Sequence, residues 1–183
     1  MGNTPAPDVR IKAWRCQICG EVVFATECPS ECPFCGSEAV HIEFANQVTE
    51  EPNRPGDFTP EDRHNLETAL KAELEDMEKY RVMSKAAPAD WMRQAYKRIS
   101  RQEAEHASIF ARLLGVGSPK RKVMLNPPPY GEMARQSVMD ELNASAIYEG
   151  YAKTTKDARL KVVWRALSTV ENNHYILQRF GAH

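Results

Sequence analysis

Two Glu-x-x-His motifs recur in this 183-residue chain at an offset of 68 residues, and each is preceded, 30 residues earlier, by another glutamate. The acids and histidines that share the offset are Glu73 and Glu141, Glu103 and Glu171, and His106 and His174. Other pairs with the same offset are Leu74/Leu142, Tyr80/Tyr148, Lys85/Lys153, Ile99/Leu167 and Ser100/Ser168. The offset predicts a duplicated helical hairpin, and four helices that carry these residues inward form the kind of bundle that holds two metal ions.

The four predicted helices share a polar interruption, since each has an acid or an imidazole in the middle of an apolar seam with bundle spacing. The first helix is expected to begin with Thr59 as its cap and Pro60 in its first turn, and to run to about Ala86. The inward seams are Leu66, Leu70, Glu73, Met77 and Tyr80; Ile99, Glu103, His106, Phe110 and Leu113; Ala134, Val138, Glu141, Ser145 and Tyr148; and Trp164, Leu167, Glu171, His174 and Gln178. We therefore expect the polar side chains to face one another inside the bundle.

The connections predict how these helices are joined. Short turns near Pro88 and Asp157 lie at the middle of the two hairpins, whereas the stretch from Gly115 to Pro129 is long and ends in three prolines. Its ~15 residues could extend about 50 Å, enough to run the length of the bundle. A single long crossover between two hairpins predicts a mainly α, ferritin-like four-helix bundle.

Four glutamates at one level of a helical bundle need countercharge, because burying an ionised carboxylate costs several kcal/mol. Two divalent cations balance four carboxylates, and carboxylates with one neutral imidazole on each metal suit iron or manganese. Two other Glu-x-x-His motifs, Glu38/His41 and Glu61/His64, do not repeat at 68 residues and are interpreted as surface pairs. The predicted ligands are Glu73, Glu103, His106, Glu141, Glu171 and His174.

Two tyrosines are candidate catalytic side chains. Tyr80 and Tyr148 each lie seven residues after a predicted ligand, two turns along the same helix face. Their phenols could donate hydrogen bonds to a carboxylate, and packing in the core is the alternative role. Asp76 follows Glu73 by three residues but corresponds to Ala144 in the repeat, so we do not include it among the ligands.

All five cysteines lie between Cys16 and Cys35, and four of them form two Cys-x-x-Cys knuckles. Two knuckles supply four thiolates in a tetrahedron, which suits zinc or iron. Zinc ribbons are the commoner structure with this spacing, whereas iron beside a two-metal bundle would have a redox use. The predicted ligands are Cys16, Cys19, Cys32 and Cys35, and Cys28 is interpreted as a spare thiol.

Composition argues against several classes of function. With 24 basic and 25 acidic residues the chain has no charge bias, so no nucleic-acid or membrane-surface partner is expected. The first eight residues lack the basic start and apolar run of a signal peptide, and no stretch approaches the ~20 apolar residues of a membrane span. We expect a soluble cytoplasmic protein with three segments: a small metal-bound β ribbon at 1–45, a linker at 46–58 and the bundle at 59–183.

In these motifs the chain resembles the rubrerythrin family. Trp-Arg-Cys-Gln-Ile-Cys-Gly at 14–20, Glu-Cys-Pro-Phe-Cys at 31–35 and His-Ile-Glu-Phe at 41–44 are similar to the rubredoxin-like module of that family. The predicted bundle is similar to its ferritin-like module, and together the two cover nearly all of residues 10–180. The rubredoxin-like module comes first here, as in the "reverse" members of the family.

The resemblance implies an Fe(Cys)4 centre at the four knuckle cysteines and a non-haem di-iron centre at the six bundle ligands. It implies a peroxidase, in which the diferrous site reduces hydrogen peroxide to water and the mononuclear iron returns the electrons. A reduced donor protein, either a rubredoxin or a reductase, and a homodimer or higher oligomer are the implied partners, and the ribbon of one chain could lie over the bundle of another. The alternatives are a ferroxidase or oxidase that uses dioxygen, and an iron-binding or storage bundle with a zinc ribbon.

One departure from the family affects the ligand set. Rubrerythrins usually carry two glutamates three residues apart on the third helix, but Glu141 is followed at that spacing by Ala144. The missing carboxylate makes the site more similar to bacterioferritin-type sites. A shift of one residue in this alignment would select Asp140, whereas the internal repeat favours Glu141.

Overall fold

A computed structural model describes residues 10–120 and 123–181 of the chain as a small sheet followed by four long helices. The sheet elements are β1 (Lys12–Cys16), β2 (Val22–Ala25) and β3 (Ile42–Phe44), with a 3-10 helix at Ala39–His41 before β3. The helices are α1 (Pro60–Ala86), α2 (Asp90–Leu114), α3 (Tyr130–Thr154) and α4 (Ala158–Gly181). The predicted fold class, a ferritin-like bundle with a small N-terminal ribbon, is confirmed.

The ends of the helices follow from local sequence. Thr59 caps α1, because its hydroxyl accepts a hydrogen bond from the backbone N–H of Asp62 at 3.1 Å, and Pro60 occupies the first helical position. Gly115 ends α2 with φ of 69°, a left-handed conformation in which glycine has no steric penalty. These signals place both ends of the first hairpin close to their predicted positions.

The duplication predicted from the 68-residue offset is also visible in the hydrogen bonds. Within the first hairpin, α1 with α2, the Ser100 hydroxyl donates to the carbonyl of Met77 at 2.8 Å. Within the second, α3 with α4, the Ser168 hydroxyl donates to the carbonyl of Ser145 at the same distance. Each hairpin packs mainly within itself, so the two copies are equivalent units that meet at the metal ligands.

The N-terminal ribbon is a three-stranded antiparallel sheet in the order β2-β1-β3. Trp14 on β1 stacks on Phe44 of β3 with ring centroids 4.3 Å apart. Within the predicted β ribbon, the first half of the segment 39–44 is a 3-10 helix and not a strand. The reason lies in the backbone, since the His41 carbonyl accepts from the N–H of Gln17 at 2.7 Å and so closes a knuckle instead of pairing in the sheet.

The ribbon packs against the bundle of its own chain, and one continuous apolar core joins the two. Trp14 and Ile18 of the ribbon belong to the same buried cluster as Phe110, Trp164 and Leu167 of α2 and α4. Two arginines of the bundle also bind carbonyls of the first knuckle: Arg112 donates to Cys19 at 2.8 Å and Arg159 donates to Gln17 at 2.7 Å. The ribbon is therefore held in a defined position over the helices.

Two sequence expectations concern the chain as a whole. The division into segments at 1–45, 46–58 and 59–183 stays a prediction, and its residues 1–9, 121–122 and 182–183 lie outside the described residues. Within the described ranges, no helix combines the length and the hydropathy needed to span a membrane.

Candidate metal centres

Six side chains from the four helices converge inside the bundle. All are at most 3 % exposed, and they form two overlapping groups whose ligand atoms lie within 4.8 Å of one another. The first group is Glu73, Glu103, His106 and Glu171, and the second is Glu103, Glu141, Glu171 and His174. The structure thus brings together every bundle residue that the repeat nominated as a ligand.

Two of the glutamates belong to both groups. One carboxylate oxygen of Glu103 lies 3.0 Å from Nδ1 of His106, and the other lies 3.1 Å from Nδ1 of His174. One carboxylate oxygen of Glu171 likewise lies 3.1 Å from Nδ1 of His106, and the other lies 3.2 Å from Nδ1 of His174. Glu103 and Glu171 are therefore called the bridging glutamates, because each presents one oxygen to each half of the site.

The other two glutamates each serve one half. Glu73 on α1 lies 3.4 Å from Nδ1 of His106, and Glu141 on α3 lies 3.7 Å from Nδ1 of His174. We call them the terminal glutamates. Each half thus has one terminal carboxylate, one imidazole and a share of two bridging carboxylates, which is a suitable donor set for one of two iron ions.

Several polar atoms at the centre of this cluster have no hydrogen-bond partner within the described part of the chain. They are both carboxylate oxygens of Glu103, Nδ1 of His106 and Oε1 of Glu171. Buried polar atoms are rarely left unpaired in a native protein, and all of these belong to side chains of the two groups. The cluster fits a di-iron site, in which metal–ligand bonds would satisfy these atoms.

When the cluster consists of these six side chains without metal, bound protons offset the negative charge of the carboxylates. Burial would lower the pKa of His106 and His174, but the surrounding glutamates raise both pKa values well above the usual range. Burial raises the pKa of the terminal glutamates well above normal. Burial opposes ionisation of the bridging glutamates too, yet the two imidazoles lower the pKa of both. Metal binding would displace the protons from the imidazoles and the terminal glutamates.

Both tyrosines that the sequence nominated contact this cluster, but each contacts the terminal glutamate of the other hairpin. Tyr80 on α1 donates a hydrogen bond to Glu141 on α3, and Tyr148 on α3 donates to Glu73 on α1 at 2.5 Å. Burial raises the pKa of both phenols, with the facing glutamate adding to the shift. The phenols therefore keep their protons at neutral pH and act as donors.

A carboxamide that the sequence placed on the seam of α4 also belongs to this network. The Gln178 side chain donates to the hydroxyl of Tyr80 at 2.7 Å and is only 4 % exposed. It in turn accepts a hydrogen bond from the hydroxyl of Ser137. The spacing of Gln178, four residues after His174, identified its face but not its partner.

The neighbouring acids that could have been ligands lie elsewhere. Asp140 accepts a hydrogen bond from the ammonium group of Lys79 at 2.7 Å, and Lys79 also pairs with Asp76. Burial raises the pKa of Asp76 to about 6, although Lys79 opposes the shift. This ion pair links α1 to α3 outside the cluster, and Glu141 rather than Asp140 lies in it.

The two cysteine knuckles bring four sulfur atoms together in the ribbon. Cys16 and Cys35 are 3.8 Å apart between sulfurs, and Cys19 and Cys32 are 3.6 Å apart. All four are at most 2 % exposed and lie within 4.8 Å of one another. A buried group of four thiols with these separations suits a tetrahedral metal ion.

A serine and a backbone amide support the sulfur cluster. The Ser37 hydroxyl lies 3.2 Å from the sulfur of Cys16 and 3.3 Å from that of Cys35, and the N–H of Ile18 donates to Cys16 at 3.4 Å. Hydrogen bonds from the other three cysteines lower the pKa of Cys16, whereas its contact with Cys16 raises the pKa of Cys19. Cys28 is exposed and outside the cluster. Ser37 was not predicted, because no spacing or repeat in the sequence distinguishes it.

Comparison with known proteins identifies this combination of modules. The family model described as Rubrerythrin matches residues 64–179. This chain belongs to the rubrerythrin family. It is 27 % identical over 165 residues to Reverse rubrerythrin-1 of Clostridium acetobutylicum, an alignment that covers 80 % of this chain and 91 % of that protein. No solved structure matches the chain.

Membership of the rubrerythrin family and the two donor sets agree on the cofactors. The six-residue cluster fits a di-iron centre, and the four cysteines fit a mononuclear iron centre. The protein is thus an iron-binding member of a family whose members are generally oxidoreductases.

In this rubrerythrin the two sites are joined by a direct hydrogen bond. Nε2 of the His106 ring lies 2.9 Å from the backbone carbonyl oxygen of Cys35. Nδ1 of the same ring faces the carboxylates, so Nε2 carries the proton and donates it to Cys35 when Nδ1 binds metal. One ligand of the cysteine site and one ligand of the di-iron site are thereby in contact. Sequence spacing could not have revealed this link, because a linker separates the two modules.

Proposed function

We propose that this rubrerythrin reduces hydrogen peroxide to water at the di-iron centre and receives its electrons through iron at the four-cysteine centre. The observation that carries the proposal is the hydrogen bond from His106 to the Cys35 carbonyl. It supplies a short path of covalent bonds and one hydrogen bond between the two centres. A storage protein with a zinc staple would have no use for such a path.

When bound, the two ferrous ions supply the two electrons that convert hydrogen peroxide and two protons into two waters, and the cysteine-bound iron returns electrons one at a time. The side chains of the chain provide the setting. Oxygens from the bridging glutamates, which face both halves, would hold the two ions at a short separation.

The tyrosines fix the terminal glutamates in the orientation seen here. Because Tyr80 and Tyr148 cross between hairpins, each phenol links α1 to α3 and restrains the carboxylate of the opposite helix. Their O–H groups remain protonated, as the raised pKa values indicate, and each donates its one proton to a terminal glutamate. We propose that the two phenols act on the reaction through these carboxylates, by withdrawing negative charge from them and holding their orientation.

Stopped-flow mixing of the fully reduced protein with hydrogen peroxide and, separately, with dioxygen tests the oxidant. We expect the peroxide reaction to be faster at equal concentrations of oxidant. A markedly faster reaction with dioxygen would overturn the proposal. The absorbance of ferric four-cysteine iron gives a second reading, because it should appear after di-iron oxidation if electrons pass between the centres.

A ferroxidase or oxidase is the second candidate, and one observation favours it. Ala144 stands where rubrerythrins usually have another glutamate, so the ligand set contains four carboxylates and two imidazoles. The same stopped-flow comparison separates the candidates. An iron-storage bundle with a zinc ribbon is tested by metal analysis, since zinc in place of iron at the cysteine site removes both the colour and the relay.

We also propose a reduced donor protein, such as a rubredoxin or a reductase, and a homodimer or higher oligomer. In this chain the ribbon already contacts its own bundle through Cys35 and His106, so the relay does not require a second chain. Sedimentation equilibrium at micromolar concentration should give at least the mass of a dimer, and a monomer would contradict the proposal.

A further inference from the structure

The second cysteine knuckle sits between equivalent positions of the two hairpins. A Cβ atom added to Gly36 would meet the side chains of Gln102 on α2 and Val170 on α4, each at 2.9 Å. Gln102 and Val170 are themselves 68 residues apart and are therefore partners in the repeat. The knuckle thus lies near the approximate two-fold axis that relates the hairpins, but the residues on its two sides differ.

This difference matters because the knuckle can offer only one carbonyl to two imidazoles. His106 donates from Nε2 to the Cys35 carbonyl at 2.9 Å. His174, its repeat partner, has Nε2 at 2.9 Å from the side-chain oxygen of Gln102. The amide oxygen of Gln102 therefore takes, for one histidine, the place that a backbone carbonyl takes for the other.

Gln102 is well placed to hold this contact. It is 5 % exposed and stands beside a cavity of ≈ 510 Å³ that also reaches His174 and Gly36. Gln102 lies on the Nε2 side of the His174 ring, whereas the carboxylates lie on the Nδ1 side. Without the amide oxygen, the N–H of His174 would lose this acceptor and the ring would lose its fixed orientation.

We propose that Gln102 is the positioning residue of the His174 half of the di-iron centre. Its oxygen keeps the proton of His174 on Nε2 and directs Nδ1 to the metal. In the other half, the backbone carbonyl of Cys35 does the same for His106. The inference rests on one part of the proposed function, the binding of two irons in the bundle. It does not depend on whether peroxide or dioxygen is the oxidant. Hydrogen-bond acceptors of this kind typically change metal affinity 10–100-fold when they are removed.

Two substitutions in the full-length protein test this role. Gln102→Met keeps a similar length and removes the acceptor, whereas Gln102→Glu keeps the acceptor and gives it a charge. The control is Gln94→Met, the same exchange at an exposed position of α2. Metal-free protein of each variant is titrated anaerobically with ferrous iron, with Mössbauer spectroscopy to count the sites, and the midpoint potential of the di-iron centre is measured.

We expect Gln102→Met to bind one of its two bundle irons about 10–100-fold more weakly than the wild type, while the other iron and the cysteine site are unchanged. We expect Gln102→Glu to bind both irons and to shift the di-iron midpoint potential to a more negative value, because a carboxylate acceptor makes the imidazole a stronger donor to the metal. Gln94→Met should match the wild type in both measurements.

The proposal is overturned if Gln102→Met binds both irons with wild-type affinity, and equally if Gln102→Glu leaves the midpoint potential unmoved. If Gln102→Met fails to fold, as shown by lost helical circular dichroism, the potential of Gln102→Glu decides alone. Neither measurement uses peroxide or dioxygen. A markedly faster reaction with dioxygen than with peroxide would therefore overturn the proposed function and leave this inference standing. Wild-type iron affinity in Gln102→Met would overturn this inference and leave the proposed function standing.

Discussion

The cysteine site and the bundle site are built in opposite ways. The cysteine ligands come from two tight knuckles between Cys16 and Cys35, so local turns suffice to bring the sulfurs together. The bundle ligands extend from Glu73 to His174 and meet only when all four helices have packed. A defect in the first site should therefore remain local, whereas loss of a side chain that faces both halves of the second should affect both of its metal ions.

The largest expected effect comes from a bridging glutamate. Glu103→Ala removes a carboxylate that faces both His106 and His174, so both halves of the bundle site lose a ligand. We expect iron to fall from about three per chain to about one, with the four-cysteine iron retained. Metal analysis measures this, and peroxide reduction should be lost.

The control for this change is Glu61→Ala, which alters the exposed Glu-x-x-His motif in the first turn of α1. It should keep its full iron content. A Glu103→Ala protein that still held two bundle irons would show that the bridging geometry does not govern metal binding.

Substitution of a cysteine in the sulfur cluster should have the opposite effect on iron content, with the four-cysteine iron lost and the bundle irons retained. Cys16→Ser removes a buried sulfur ligand, so the visible charge-transfer bands of the mononuclear iron should disappear while the di-iron centre stays loaded. Steady-state peroxide reduction should fall to background, yet a single oxidation of the pre-reduced bundle site by peroxide should keep its normal rate. Stopped-flow absorbance and turnover assays separate the two effects.

Cys28→Ser is the matched control, because Cys28 is exposed and outside the sulfur cluster. It should leave both the spectrum and the turnover unchanged. If Cys16→Ser also slowed the single oxidation, the two sites would be less independent than their construction indicates.

The affinity of the metal-free bundle site for iron should depend on pH. The pKa values of His106, His174 and the terminal glutamates are all raised, so these groups hold their protons more firmly before metal binds than they would in water. Binding of ferrous iron should therefore release protons, and the affinity for iron should rise with pH. Proton release in a weakly buffered titration measures this directly.

The same pKa shifts predict how the metal-free protein unfolds. A group with a raised pKa in the folded state loses its favourable contribution as the pH rises from its unfolded value through its folded value. For the imidazoles and the terminal glutamates the direction is the same, so the melting temperature of the metal-free protein should fall as the pH rises above 6.5, the ordinary pKa of an imidazole. The iron-loaded protein should change little over this range, and equal slopes would contradict the assignment.

The two regions also differ in how much of them could be predicted from the sequence. The knuckle spacing nominated all four cysteines of the sulfur cluster, and the 68-residue offset nominated all six side chains of the bundle cluster, because i, i+3 residues share a helix face. The start of α1 followed from Thr59 and Pro60. The 3-10 helix at Ala39–His41 was missed, since its backbone serves a knuckle and its side chains give no periodic signal.

Contacts between elements that are distant in sequence could not be predicted from the sequence. Tyr80 lies seven residues after Glu73, and a helical side chain leans towards the N-terminus of its helix, so proximity to the ligand level could be expected. Which carboxylate it would contact could not, because that depends on how α1 and α3 pack. The bond from His106 to Cys35 depends in the same way on where the ribbon docks.

These tyrosines should give a moderate effect. Tyr80→Phe and Tyr148→Phe each remove a hydrogen bond to a terminal glutamate without removing the ring, so we expect iron affinity or peroxide reduction to fall about 10–100-fold. Tyr175→Phe is the control, since its hydroxyl only accepts a bond from Arg179 near the surface. Iron titration and stopped-flow rates distinguish lost affinity from a lost donor, and wild-type behaviour in both would assign the phenols to packing alone.

The smallest expected effect lies at the cysteine site. Ser37 is fully buried, and its hydroxyl lies within 3.3 Å of the sulfurs of Cys16 and Cys35. A hydrogen bond to a thiolate stabilises the more negatively charged ferrous form, so Ser37→Ala should lower the reduction potential of the mononuclear iron. With a net value of about 1 kcal/mol for one bond, the shift is roughly 40 mV for a one-electron couple. Spectroelectrochemistry at the charge-transfer band measures it, with Ser118→Ala, on the partly exposed stretch after α2, as the control. A shift to higher potential would mean that the hydroxyl accepts from its surroundings and opposes reduction, and the local knuckle would then be tuned by its backbone amides alone.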